Sequence, residues 1–392
     1  MIYFDNAAST KTAPEAIEAM QHFLSEDYAN PAGASTASAK VRSAVEEARE
    51  HVAALIGASP DEIYFTSGGS ESNNTAIFGT VGDPGDVAVC SEIEHPSVLR
   101  CIERLSKYGR STYRIPCPGG YADTDAFAAM TGTGKNGVEA DLKASDITDK
   151  GRGIVSVMLV NNELGTVQPV RELAKIAHSA GYLFHTDAVQ AVGHIPVDVK
   201  ELGVDMLSMS AHKFHGPKGV GALYIRRNLK VASLIYGGGQ ERGLRSGTLN
   251  VPGIVGLGEA ARLALSQLEE DLEHVSALRK LMLDELDRYG CEYEINGSGN
   301  HADNILNIGF KGVEGSSLLI ELDMKEIVCS TGSACEASSK EPSHVLTAAG
   351  LDDELIKGSL RLSFSRYNTE DEVLAAAKIL AESVEKLRLM RL

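Results

Sequence analysis

The stretch Met206-Leu207-Ser208-Met209-Ser210-Ala211-His212-Lys213-Phe214-His215-Gly216-Pro217-Lys218-Gly219 decides how the chain is read. Met206–Ser210 has the apolar, small character of a strand buried on both faces. It gives way abruptly to polar residues and a glycine-rich turn. In an open α/β sheet, ligands gather at the carboxyl ends of strands. A lysine held there, among small residues, can have a lowered pKa and use its amine as a nucleophile. A Schiff-base lysine needs that setting, and Lys213 is the candidate. An isolated lysine is ordinarily a solvated surface group; the surrounding residues single this one out.

Outward from this point the same alternation recurs. β-rich runs lie at 62–66, 87–90, 154–160, 183–186 and Gly221–Ile225, several of them continuously apolar. Turns and helical stretches separate them, such as 171–180, closed by Gly181. This order implies an α/β fold, with a mainly parallel sheet and helices on its faces. Past Gly253 the pattern becomes one long helix. Ala261, Leu265, Leu268, Leu272, Val275, Leu278, Met282 and Leu286 form a single apolar stripe, and Gly290 would end it. A boundary near residue 255 divides a large domain, 15–255, from a smaller α+β domain made of 256–392 with 1–14. Residues 116–153, rich in Gly, Asp, Thr and Lys, read as an exposed excursion.

Composition narrows the function. The 392 residues are 43% hydrophobic and 23% charged, as in soluble globular proteins rather than disordered ones. The net charge of −17 repels polyanions, so direct nucleic-acid binding and anionic membranes rank low as primary partners. The most apolar run, 154–160, is far shorter than the roughly 20 residues that span a bilayer. The amino terminus has no basic segment followed by an apolar one. The expectation is a cytoplasmic protein. Six cysteines, at 90, 101, 117, 291, 329 and 335, include no C-x-x-C pair. They suit a reducing compartment rather than a disulfide framework or a zinc site.

Three further stretches carry chemistry. In His185-Thr186-Asp187-Ala188-Val189-Gln190, an aspartate ends an apolar strand. A buried carboxylate needs a cationic partner, such as a protonated pyridine nitrogen. A capping aspartate explains the spacing equally well. Gln190, one turn on, is placed to donate to a phenolic oxygen of the same ring. Thr66-Ser67-Gly68-Gly69-Ser70-Glu71-Ser72-Asn73 links a strand to a helix, and its free N–H groups and hydroxyls suit one phosphate. It matches neither G-x-G-x-x-G nor a Walker A loop. In Cys329-Ser330-Thr331-Gly332-Ser333-Ala334-Cys335, the second cysteine sits among small polar residues, where a thiol can attack or be attacked. Cys329 reads as core. His212 and His215 suggest a metal pair only weakly, since no carboxylate ligand accompanies them.

Together these features resemble the cysteine desulfurases, in the class V aminotransferase branch of the fold-type I pyridoxal phosphate enzymes. The resemblance runs nearly end to end. It includes Tyr3-Phe4-Asp5-Asn6-Ala7-Ala8, Glu94-His95, Asn161-Asn162-Glu163-Leu164-Gly165, the Asp187 and Lys213 segments, and Gly237-Gly238-Gly239-Gln240-Glu241-Arg242-Gly243-Leu244-Arg245-Ser246-Gly247-Thr248, then the Cys335 loop and Leu360-Arg361-Leu362-Ser363. The fold it implies is a seven-stranded, mainly parallel sheet flanked by helices, plus a smaller α+β domain.

The resemblance implies roles for individual residues. Lys213 would hold pyridoxal 5'-phosphate through a Schiff base, and Asp187 would pair with the ring nitrogen. His95 would stack on the ring and assist proton transfer. Asn162 and Gln190 would contact ring substituents. Gly69, Ser70, Ser210 and His212 would hold the phosphate, with Thr248 reaching the phosphate of a neighbouring subunit in a homodimer. Arg361 would bind the carboxylate of L-cysteine, with Asn162 nearby. Cys335 would take the substrate sulfur as a persulfide and pass it to an acceptor such as an iron–sulfur scaffold or a tRNA-thiolation protein. Selenocysteine lyase and cysteine sulfinate desulfinase activities belong to the same branch and stay open, as does a non-catalytic sulfur-relay or assembly role. The chain departs from the family after Asn30-Pro31, reading Ala32-Gly33-Ala34-Ser35-Thr36 where serines and a histidine are usual. Ser70 stands where threonine is more common, and His95 also suits a helix start, with Pro96 at the first helical position.

Overall fold

The structure is a computed structural model. It describes residues 1–83, 85–133, 153–332 and 342–390. The chain opens with strand β1 (Ile2–Tyr3) and helices α1 (Pro14–Ser25) and α2 (Thr36–Leu55). Alternation follows: β2 (Ile63–Thr66), α3 (Gly69–Phe78), β3 (Val87–Ser91), α4 (Pro96–Lys107), β4 (Ser111–Ile115) and α5 (Thr124–Met130). Next come β5 (Gly153–Ser156), α6 (Val170–Ser179), β6 (Leu183–Asp187), α7 (Val199–Leu202), β7 (Met206–Ser210) and β8 (Gly221–Ile225). A helix of 38 residues, α8 (Val251–Arg288), passes through residue 255 and leads to β9 (Glu294–Ile295), β10 (Ile305–Gly309) and α9 (Gly315–Asp323). The chain finishes with β11 (Ile327–Val328), α10 (His344–Ala348), α11 (Asp353–Lys357), β12 (Ser359–Ser363) and α12 (Glu370–Met390).

Among the described residues the main sheet has seven strands in the order β2-β8-β7-β6-β5-β3-β4. The ladders from β7 to β4 are parallel, and β8 is antiparallel to both its neighbours. Successive strand residues point to opposite faces. Val87, Val89, Val155, Leu207 and Met209 join one core cluster, while Ala88, Cys90, Ile154, Met206 and Leu223 join another. Both faces are thus covered, which explains the unbroken apolar runs.

Several expected bounds shift for local reasons. Glu62 closes a 3-10 turn, and its carboxylate accepts the Ser59 N–H at 3.0 Å, so β2 begins one residue later. The 154–160 run leaves the ladder after Ser156, yet the Val157 and Leu159 N–H groups still reach the His185 and Asp187 carbonyls at 3.1 and 2.9 Å. The edge strand β4 was not expected. Its half-exposed Ser-Thr-Tyr-Arg-Ile lacks the apolar density of the inner strands.

A third core cluster unites β10, β12, α9, α12 and the later part of α8. The amino-terminal strand pairs with this region, Ile2 opposite Ile327. Along α8 the buried face changes partner, from α1 and α2 to α12. Leu265 of the expected stripe consequently faces solvent, while Ala260, Ala261 and Ala264 are buried.

Candidate active site

Because β2 and β7 both run antiparallel to β8, they share one direction, and β3, β5 and β6 follow it through parallel ladders. Five strand ends therefore open on the same edge of the sheet. There they form one pocket that contains Gly69, Ser70, His95, Asn162, Asp187, Gln190, Ser210, His212, Lys213 and Arg361. These ten residues, separated by up to nearly 300 positions in sequence, are brought together by the topology.

Lys213 ends a 3-10 turn directly after β7. Its Nζ donates to the carbonyls of Ala7 at 2.7 Å and Ala8 at 3.1 Å. His194 Nε2 donates to the Lys213 carbonyl at 2.8 Å. Burial pushes the His194 imidazole down to about 4, so it is neutral and carries its proton on that nitrogen.

Asp187 ends β6, and a turn rather than a helix follows it, so it caps no helix. Its Oδ1 accepts the Val189 N–H at 3.0 Å, a local turn contact. Its Oδ2 accepts from Asn73 Nδ2 at 2.6 Å, and the residue lines the pocket. Gln190 Nε2 donates to the Ala7 carbonyl at 2.7 Å, while its Oε1 is buried with no partner among the described residues.

Gly68 (φ 146°) turns the chain from β2 into α3. The amides of Gly69 and Ser70 lie in the first turn, where N–H groups have no intrahelical acceptor. A Cβ on Gly69 would meet Val189 Cγ2 at 2.6 Å, so the cradle needs a glycine there. Ser210 and His212 face the same cradle. Burial, helped by the Lys213 and Lys218 charges, pushes His212 down to about 4, so it is a neutral donor. The donor set is that of an anion site.

Arg361 projects from β12 and is 1% exposed. Nη1 donates to the Asn162 carbonyl and Nη2 to Asp5 Oδ1, both at 2.7 Å. Its Nε is buried with no partner among the described residues. His95 caps α4: Nδ1 accepts the Ser97 N–H at 3.1 Å, and Pro96 occupies the first turn. The helix-start reading holds, and His95 also lines the pocket.

Sequence reasoning missed several polar residues that hold these groups. Asn73 lies four residues after Gly69, on the same face of α3, a spacing that would have placed it beside the cradle. Asp5 was quoted only within a motif. Glu94 is fully buried; Oε1 accepts from Ser91 Oγ at 2.5 Å and from the Met158 N–H at 2.9 Å. Burial is the main cause that raises its carboxyl to about 8.

Other expected residues fall elsewhere. Thr248 is exposed and is not among the residues lining this chain's own pocket. His215 turns its Nδ1 to the Lys11 carbonyl at 2.9 Å. Among the described residues no three His, Cys, Asp or Glu side chains gather as a metal site. Cys335 lies outside the described residues. Of the residues flanking it, Ser343 donates through Oγ to Glu163 Oε2 at 2.6 Å, and a Cβ on Gly332 would lie 3.0 Å from that same oxygen.

Comparison with known proteins agrees with this architecture. The sequence pattern of the family described as aminotransferase class-V matches residues 2–375. A protein of Dictyoglomus turgidum named cysteine desulfurase IscS is 43% identical over 392 residues, covering 99% of this chain and 95% of the relative. Among solved structures, a NifS-like protein superposes with a TM-score of 0.87 at 36% identity, covering 98% of this chain and 99% of its own. A structure described as SspA in complex with cysteine superposes at 0.77 with 33% identity, covering 94% of this chain and 100% of that one. The chain belongs to the cysteine desulfurase family, within the class-V aminotransferases.

Proposed function

We propose that this protein is a pyridoxal 5'-phosphate-dependent L-cysteine desulfurase that forms a persulfide on Cys335. The observation that carries the proposal is the convergence of a lysine amine, a buried carboxylate, a helix amino terminus and a guanidinium in one pocket. This donor set fits the cofactor group by group. Lys213 suits its aldehyde, Asp187 its protonated ring nitrogen, and Gly69, Ser70, Ser210 and His212 its phosphate. His95 would stack on the ring, and the side chains of Gln190 and Asn162 would face its substituents. When bound, the cofactor supplies an electron sink for the bond broken at Cα.

The protein residues do the rest. Arg361 anchors the L-cysteine carboxylate through a planar fork. The Lys213 amine takes the Cα proton, and His95 exchanges protons on the pocket side. The Cys335 thiolate attacks the substrate sulfur as the Cβ–S bond breaks. Sulfur moves to the enzyme thiol, and L-alanine leaves: cysteine plus thiol gives alanine plus persulfide. Support for Cys335 comes from its flanks, since Gly332 and Ser343 both meet Glu163, next to Asn162. An acceptor of the iron–sulfur scaffold type would then receive the sulfur. A homodimer is supported by Thr248, exposed and therefore available to a second subunit's phosphate. No helix among the described residues is long and apolar enough to cross a membrane.

The test is spectroscopic. Protein purified with its cofactor should absorb in the visible and convert L-cysteine to alanine, and Lys213→Ala should lose both properties. An unchanged visible band in Lys213→Ala would overturn the assignment of Lys213.

A further inference from the structure

Asp187 and His95 are linked by two side chains for which the functional reading has no use. Asn73 Nδ2 donates to Asp187 Oδ2 at 2.6 Å and to Ser97 Oγ at 2.8 Å. Ser97 Oγ lies 2.7 Å from His95 Nδ1. Asn73 and Asp187 are nearly inaccessible to solvent, Asn73 fully so.

Chemistry fixes the direction of every bond in this chain. A carboxylate only accepts, so the Asn73 atom facing Asp187 must be the amino nitrogen. That nitrogen has two hydrogens, and both are used. Asn73 Oδ1 is left buried with no partner among the described residues, a cost that the geometry accepts to keep the amide this way round. Ser97 Oγ receives a hydrogen from Asn73, which leaves its own hydrogen available to His95 Nδ1. The Ser97 backbone N–H, which can only donate, points at that same nitrogen at 3.1 Å. Two donors converge on Nδ1, so it carries a lone pair, and the ring proton sits on Nε2.

We infer that Asn73 and Ser97 are positioning residues which tie the charge on Asp187 to the tautomer of His95. The relay keeps His95 a neutral Nε2–H donor, and an imidazolium would place a proton on Nδ1 against both Ser97 donors. In the reaction Nε2–H therefore acts first as a hydrogen-bond donor, since losing that proton outright would leave an imidazolate. This role rests on the proposed desulfurase reading; the tautomer itself does not.

The test uses the full chain with its cofactor, labelled with 15N-histidine, and assigns His95 by the signals lost in His95→Gln. Wild type should show an unprotonated Nδ1 and a protonated Nε2. Ser97→Ala should move Nδ1 downfield as it loses a donor, and Ser97→Thr should restore it. Asn73→Ala should move the same signal although Asn73 does not touch His95 in the relay. With L-cysteine, Ser97→Ala should lower kcat about tenfold with KM little changed, the loss of one strong hydrogen bond. A proton on Nδ1 in wild type, or a signal indifferent to both alanine variants, would overturn the relay. Wild type with the expected tautomer and no alanine formed would uphold the relay and refute the desulfurase reading.

Discussion

Arg361 and Asp5 form an ion pair, Nη2 to Oδ1 at 2.7 Å, that joins β12 to the amino-terminal segment. The guanidinium is almost wholly buried, and Asp5 offsets its charge while the Asn162 carbonyl fixes its plane. Removing one partner of such a pair leaves a buried charge unpaired. Asp5→Ala should therefore lose about 3 kcal/mol of stability, read by urea unfolding of the cofactor-free protein. An unchanged midpoint would show that Asp5 does not hold Arg361.

Arg361→Lys retains the charge but not the fork. A lysine ammonium is a point charge that cannot bind a carboxylate through two parallel bonds. Steady-state alanine formation should lose about a hundredfold in kcat/KM, mostly through KM. A loss confined to kcat would place Arg361 elsewhere in the reaction.

Glu94 makes stability depend on pH in a defined direction. Its carboxyl ionises near 4.5 when exposed in the unfolded chain, but only near 8 in the buried folded site. Between these values the unfolded state binds fewer protons, so stability from this group falls as pH rises. Glu94→Gln mimics the protonated form and cannot ionise. It should be more stable than wild type at pH 8, by an amount on the order of a few kcal/mol, and similar to it at pH 4.5. Urea unfolding at the two pH values checks this; parallel curves would show that Glu94 is ionised in the fold.

Gly69→Ala tests the phosphate cradle. The added Cβ would press on Val189 Cγ2 at 2.6 Å and push a pocket-lining side chain inward. Overpacking of this kind costs about 1–3 kcal/mol, so cofactor affinity should fall about tenfold or more. Titration of the cofactor-free protein with pyridoxal phosphate measures it, and unaltered affinity would contradict the cradle.

Much of this was legible in the sequence because it depends on local pattern. The strand Met206–Ser210 and its lysine turn appear with the bounds expected of them. Asp187, Gln190, His95 and the Gly69–Ser70 turn reach the pocket because each follows a strand, and strand ends share one edge. What escaped was relational. Spacing puts Asn73 on the Gly69 face of α3, but nothing local links it to Ser97, an ordinary first-turn serine; their meaning comes from α3 and α4 packing side by side. Asp5 and Arg361 stand 356 positions apart, and only the pairing around β12 brings them together. Strand β4 was missed because an edge strand is half solvated and lacks an apolar run.

The central claim is sulfur transfer to Cys335, and one paired assay tests it most directly. Wild type and Cys335→Ser, both loaded with cofactor, receive L-cysteine and a reductant, and alanine and sulfide are quantified together. The account predicts equal alanine and sulfide from wild type, and neither from Cys335→Ser with its cofactor absorbance intact. Full alanine and sulfide production by Cys335→Ser would contradict it.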